Sequence, residues 1–310
     1  MDTGAQGEPP QTSKGIAPAY IGLILIWSTT PLAVVLSLRD LDAIWSLALR
    51  MLLAAVMAAV VLRVSRLKLA RDAAAWRLYG IGSLSMFGAM LFTYLGARHL
   101  PSGMISVLFG LSPLMVGVLS SVFLPGVRLR PLQWLGMGLG LAGLVVIFTG
   151  GGSTAAIDGA SVLLVLLGVL TYAVSAVFMK QAPAPLHPLV QTTGALWVSA
   201  LGCVLVLPFL GGPVPRHMPS ALTVSALVYS AGFGSIVAML CYFYLLRHVS
   251  AGTVALTTLI TPVIALLLGM GINHERFHVE ILWGMALIFF GLLAYYAREM
   301  GPGAASGLTA

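Results

Sequence analysis

Charge is what this 310-residue chain has least of: Asp, Glu, Lys and Arg make up 8% of it, and only nine residues are acidic. A water-soluble domain carries about a quarter charged residues. With 59% hydrophobic residues and a mean hydropathy of +1.01, the chain is excluded from that class. Cysteine is nearly missing too. Cys203 and Cys241 lie in separate apolar runs and form no C-x-x-C pair, which removes a disulfide framework or thiolate metal site as an organising feature. No G-x-x-x-x-G-K-[ST] loop occurs, so the chain has no motif for direct ATP coupling. The apolar runs do not alternate in polarity, which argues against a transmembrane β-barrel.

What is present is a series of apolar runs long enough to cross the hydrocarbon core of a bilayer. They fall at about 18–38, 43–62, 78–97, 102–124, 132–150, 160–180, 189–210, 221–246, 250–272 and 281–297. The pattern predicts an all-α polytopic membrane protein with ten transmembrane helices. Residues 1–17, rich in Gly, Pro, Gln and Ser, read as a disordered N-terminus, and 298–310 as a short tail. The first apolar run is too long for a signal-peptide core and reads as a retained helix.

The net charge of +7 raises nucleic acid as a partner, but the basic residues sit between apolar runs, as in cytoplasmic loops. An even number of spans puts both termini on one side. Cytoplasmic termini place Lys14, Arg63, Arg66, Lys68, Arg71, Arg77, Arg128, Arg130, Lys180, Arg247 and Arg298 inside. They leave Arg39, Arg98, Arg216 and Arg276 outside. The positive-inside bias favours that orientation.

An internal repeat recurs at a spacing of about 149 residues. Arg98-His99-Leu100-Pro101-Ser102-Gly103 matches Arg247-His248-Val249-Ser250-Ala251-Gly252, Ser112-Pro113 matches Thr261-Pro262, and Trp134 matches Trp283. Gly136 and Gly143 match Gly284 and Gly291 with a one-residue slip. The domains expected are a first five-helix repeat at 18–150 and a second at 160–297. Five is odd, so the second enters from the opposite side and is inverted, a recurrent design of secondary transporters.

These residues, with Trp27-Ser28-Thr29-Thr30-Pro31 and Leu49-Arg50-Met51-Leu52-Leu53-Ala54-Ala55, carry a resemblance to EamA-type transporters of the drug/metabolite transporter superfamily over about 16–298. Each motif is short; their order and duplication make the match. The resemblance implies a bacterial inner-membrane transporter and supplies the expected direction, export of amino acids or related metabolites.

One string points elsewhere. His274-Glu275-Arg276-Phe277-His278 is a literal H-E-x-x-H, which on a helix holds zinc with the glutamate as general base. Here it falls in a short connector. A catalytic zinc needs a third ligand from a separate element, and no Asp lies in any apolar run. The string reads as a coincidence, and the resemblance accounts for Glu275 instead, since similar transporters carry a glutamate in this connector. No metal, cofactor or catalytic residue is expected, and the chain reads as a transporter rather than an enzyme.

The candidate substrate contacts are Arg50, Trp27, Thr30, Tyr172 and Thr257 around a central cavity. Arg50 is an ionisable residue deep in an apolar run, where such groups are costly and face the bundle interior. It either meets a substrate carboxylate or ties helices together through carbonyls. Lys180 closes the sixth run as a gate or substrate contact, or snorkels to the interface. Pro31, Pro113 and Pro262 are expected to break or bend helices. Without an embedded carboxylate to neutralise a cation, the site suits a small zwitterion or weakly amphipathic metabolite. The alternatives are a nucleotide-sugar or sugar-phosphate exchanger depending on Lys180, and an intramembrane zinc protease using His274, Glu275 and His278. The partners expected are a small molecule and the bilayer; a homodimer is compatible with the sequence.

Overall fold

A lipid environment offers no water to backbone amides, so an apolar chain that enters it closes its hydrogen bonds within helices. The computed structural model describes residues 15–126, 128–149, 158–181, 186–249, 257–275 and 279–296, and among them there is no strand. The helical stretches are α1 (Ile16–Ser37), α2 (Ala43–Val64), α3 (Ala73–Gly96), α4 (Ser102–Phe123), α5 (Pro131–Thr149), α6 (Gly159–Lys180), α7 (Pro188–Leu210), α8 (221–248), α9 (Thr257–Ile272) and α10 (Val279–Tyr296). Seven of these, α1 to α4 and α6 to α8, are long and apolar enough to cross a membrane. The protein is a multi-pass membrane protein. Of the stretch expected to be disordered, residues 1–14 lie outside the described residues, as does the tail 298–310, while Ile16 already belongs to α1.

Scarce polar side chains are used to start helices. Asp42, Asp72 and Asp158 each accept hydrogen bonds from the first amides of α2, α3 and α6. Ser220 caps α8, and the His187 ring nitrogen accepts from Leu189 N–H at the start of α7. Such caps satisfy amides that the helix itself leaves open. The Asp72 cap explains why α3 begins five residues before the expected position of 78. Its first turns carry polar Arg77 beside exposed Trp76, an interfacial pattern that apolar counting overlooks.

The packing repeats itself. Matching α1–α5 with α6–α10 in order, three principal contacts join a helix to its own counterpart: α5 to α10, α2 to α7, and α4 to α9. Several of the others occur in matched pairs. The α3–α6 contact is mirrored by α8–α1, α3–α7 by α8–α2, and α4–α6 by α9–α1. Both α3 and α8 also contain a π-helical segment, Leu84–Gly88 and Ser230–Val237, each followed by an Ala-Met-Leu step at Ala89 and Ala238.

The α5–α10 pair is held at backbone distance. A Cβ on Gly136 would collide with the carbonyl oxygen of Gly291, and one on Gly143 with that of Gly284. Residue numbers rise along one helix as they fall along the other, so the two run antiparallel. Small residues at such a seam let backbones approach closely, which drives association where lipid offers no hydrophobic gain. Gly136→Val or Gly143→Val should therefore lower stability by about 1–3 kcal/mol. Gly138, with open space around its would-be Cβ, should gain roughly 0.5–1 kcal/mol as Gly138→Ala, because a helix interior penalises glycine. Thermal unfolding of the purified variants in detergent measures both.

Candidate functional site

Arg50 is the eighth of the 22 residues of α2 and is 3% exposed. Its Nε donates to Ser235 Oγ at 3.3 Å and its Nη1 to Tyr94 Oη at 3.3 Å, with Met90 Sδ at 3.9 Å. The guanidinium carbon lies 5.9 Å from the centroid of the Tyr94 ring. Tyr94 comes from α3 and Ser235 from α8, the two helices with π-helical segments, so the repeats share in holding one cation. Ser235 is fixed in turn by donating to Ser230 O at 3.0 Å, across the widened turn. A π-bulge frequently marks a functional site because it re-aims side chains. Every one of these partners is neutral.

Two chambers meet at the centre of the bundle. The narrower, about 140 Å³, is lined by Arg50, Thr30, Pro31, Ser235 and Thr261 among others. The wider, about 450 Å³, reaches exposed Lys180 and includes Pro113, Gln191 and Thr257. Trp27, Tyr172, Ser85, Met86, Met239 and Thr258 line both, so the two chambers share a wall at the centre of the bundle. Their apolar lining is aromatic and methionine-rich: Trp27 packs tilted on Tyr242 at 5.6 Å, Tyr172 is edge-on to Phe109 at 6.4 Å, and Met51, Met86, Met90, Met179 and Met239 fill between. Methionine adapts its shape to a guest at little cost. Among the described residues, no carboxylate lines either chamber.

The structure brings Arg50, Trp27, Thr30, Tyr172 and Thr257 together around these chambers. Lys180 stands at the mouth of the wider one. The three prolines behave differently from one another. α4 is interrupted at Leu111, next to Pro113, whereas α1 runs through Pro31 and α9 through Pro262 without interruption. Pro31 and Pro113 withdraw the usual amide partner from the carbonyls of Trp27 and Phe109, both on the chamber wall. Pro262 faces a separate apolar crevice of about 340 Å³ between α9 and α10.

The end of the bundle opposite Lys180 is knitted together. Asp40 accepts from Ser220 N at 2.8 Å, from the Ser220 hydroxyl, and from Thr223 Oγ1 at 2.7 Å. These bonds hold its carboxyl below the ordinary carboxylate value, Ser220 contributing most. Asp158 is lowered likewise, first by the Ser161 hydroxyl. Arg98 pairs with Asp42, and Trp45 Nε1 donates to Gly212 O at 3.0 Å. Glu275 accepts from Ser102 N at 2.9 Å, Ser102 Oγ at 2.7 Å and Gly103 N at 3.2 Å, all in the first turn of α4.

That geometry bears on the H-E-x-x-H string. His274 is exposed, with φ of +54°, and ends α9 in a left-handed turn that the Glu275 N–H closes onto Gly269 O at 3.1 Å. Glu275 is committed to α4. His278 lies outside the described residues, among which no group of three His, Cys, Asp or Glu residues is placed to hold a metal.

Residues 15–149 and 159–297 match the model of the EamA-like transporter family. The chain is 29% identical over 288 residues to the "Uncharacterized inner membrane transporter YedA" of Escherichia coli K12, covering 92% of each. It is 27% identical to the "Uncharacterized transporter YoaV" of Bacillus subtilis, over 88% of this chain and 93% of that one. To "Protein PecM" of Dickeya dadantii it is 26% identical over 70% and 72%. A solved crystal structure superposes with a TM-score of 0.65 at 20% identity, covering 97% of this chain and all of the other, and supports the fold alone.

Two outcomes follow from the site's electrostatics. Tyr94→Phe and Ser235→Ala should each cost about 1 kcal/mol in thermal unfolding, and the double variant more than the sum, because the guanidinium then loses both oxygen partners. The Asp40 contribution has a lowered folded pKa, so it is fully present above the unfolded value near ~4 and is lost as pH falls through the folded one. The melting-temperature gap between the native chain and Asp40→Asn should stay constant from roughly pH 5 to 8 and shrink below roughly pH 4.

Proposed function

Because the chain belongs to the EamA-like transporter family, we propose that it is a secondary transporter exporting a small carboxylate-bearing metabolite, of the amino-acid class, by alternating access. The observation that carries this reading is Arg50: a cation, buried at the narrow end of a cavity, bonded only to neutral groups among the described residues. A guanidinium presents a planar fork of donors suited to a carboxylate, and removing one from water without a counter-charge is costly. A substrate carboxylate supplies that charge. The aromatic and methionine walls accept its apolar part, and the Thr30 hydroxyl, which donates to Ile26 O at 2.6 Å, keeps an acceptor lone pair for a polar group.

In this proposal ten spans form two inverted repeats, at 18–150 and 160–297, with the site on their interface. The exchange symmetry of the packing and the antiparallel α5–α10 seam support it. The basic loops support cytoplasmic termini, which sets the Lys180 mouth toward the cytoplasm and the Glu275 end outward. The relative named as an inner membrane transporter supports the bacterial inner membrane as the location. Sugar-phosphate exchange is less favoured, since a dianion would need a second cation and Lys180 stands at the mouth rather than beside Arg50.

Culture medium from cells overproducing the native chain should accumulate one class of amino or carboxylic acid. Cells with Arg50→Ala at matched membrane levels should show at least about a tenfold weaker effect, the loss of a charge-assisted pair. Untargeted mass spectrometry of the medium checks this. Medium indistinguishable from that of cells lacking the protein would overturn the export reading.

A further inference from the structure

α4 begins without a cap of its own. Its N-cap residue is Pro101, whose side chain has no hydrogen-bonding group, so the first amides of the helix need an acceptor from elsewhere. Glu275 provides it from the other repeat, taking three bonds from Ser102 and Gly103. Asn273 Nδ2 adds a fourth at 3.0 Å and is itself held by Arg39 Nη2 at 2.8 Å. The fit depends on Gly269, where a Cβ would collide with the Glu275 carboxylate. Carboxylate at a helix N-terminus is favoured by both the exposed amides and the macrodipole.

The arrangement is one-sided. Asp40 of the first repeat binds the start of α8, and Glu275 of the second binds the start of α4, both at the end opposite Lys180. The connector matching that of Glu275 in the first repeat, 124–130, contains no acidic residue. At the Lys180 end a neutral bond crosses between the repeats, Gln181 Nε2 donating to Phe123 O at 3.0 Å, but no carboxylate does among the described residues, and the wide chamber reaches the exposed lysine.

On the alternating-access reading above, we infer that Glu275 is the latch of the far gate: its bonds to α4 hold that end shut, and their release opens the inner chamber to the far side. The carboxylate acts on the cycle by positioning α4 against α9 and touches no substrate.

The test uses the full chain with Cys203→Ser and Cys241→Ser and a reporter at Ser106→Cys, one turn below Ser102 on the inner-chamber wall. A membrane-impermeant maleimide is applied to intact cells and, separately, to inverted vesicles. With Glu275 present, labelling should occur from one membrane face. Glu275→Gln and Gly269→Ala should each raise labelling from the other face by about tenfold, as expected for loss of charge-assisted bonds. If Glu275→Ala does not reach the membrane, Glu275→Gln and Ser102→Ala carry the test. A merely structural cap would lower protein level or melting temperature and leave the sidedness of labelling unchanged; that result in folded variants overturns the latch. Shifted sidedness in a chain that exports nothing overturns the transport reading and leaves the latch standing.

Discussion

A guanidinium inside a membrane bundle is the constraint around which the centre of this protein is arranged. The fold must surround this cation with acceptors that lipid cannot offer. It does so with one tyrosine and one serine, each delivered by a helix containing a π-helical turn, one from each repeat. Those partners are enough to hold the side chain and too few to neutralise it. In the proposed function, the same cation that links α2 to α3 and α8 is the group that meets the substrate carboxylate.

The opposite scarcity shapes the ends of the bundle. Five carboxylates have described hydrogen bonds, Asp40, Asp42, Asp72, Asp158 and Glu275, and all five bind the start of a helix. None faces the cavity. Three cap their own helix and two reach across to the other repeat, so a duplicated scaffold with near-symmetric packing becomes unequal at its two ends. Among the described residues, both carboxylates that cross between the repeats lie at the end opposite Lys180.

Much of the fold was legible in the sequence because lipid imposes a simple rule on length and polarity. Helix ends at Ser37, Gly96, Phe123, Lys180 and Leu210 fall within about two residues of the limits read from hydropathy, inside the scatter of helix assignment. The start of α3 was not, because its first turn is capped and interfacial. Around the two chambers lie the five candidates read from the sequence: Arg50 from its depth, Trp27 and Tyr172 from their aromatic rings, and Thr30 and Thr257 from their hydroxyls. Nothing in the sequence shows that Tyr94 is buried against Arg50 or that Ser235 faces it. Both depend on which face of α3 and α8 turns inward after a π-helical segment, a register that 3.6-residue counting does not see. The paired Ala89-Met90-Leu91 and Ala238-Met239-Leu240 steps were the available signal. The bonds of Glu275 to the start of α4 were hidden for another reason, since Ser102 is 173 residues away in the other repeat.

The central claim is that a substrate carboxylate completes the surroundings of Arg50. The most direct measurement is the thermal shift of the purified protein with a panel of neutral amino acids, each set against the amine that lacks the carboxylate. A bound ligand raises the melting temperature in proportion to its affinity for the folded state. The account predicts a shift with at least one amino acid, none with its matching amine, and none with either in Arg50→Gln. An equal shift from the amine, or a shift retained in Arg50→Gln, would contradict it.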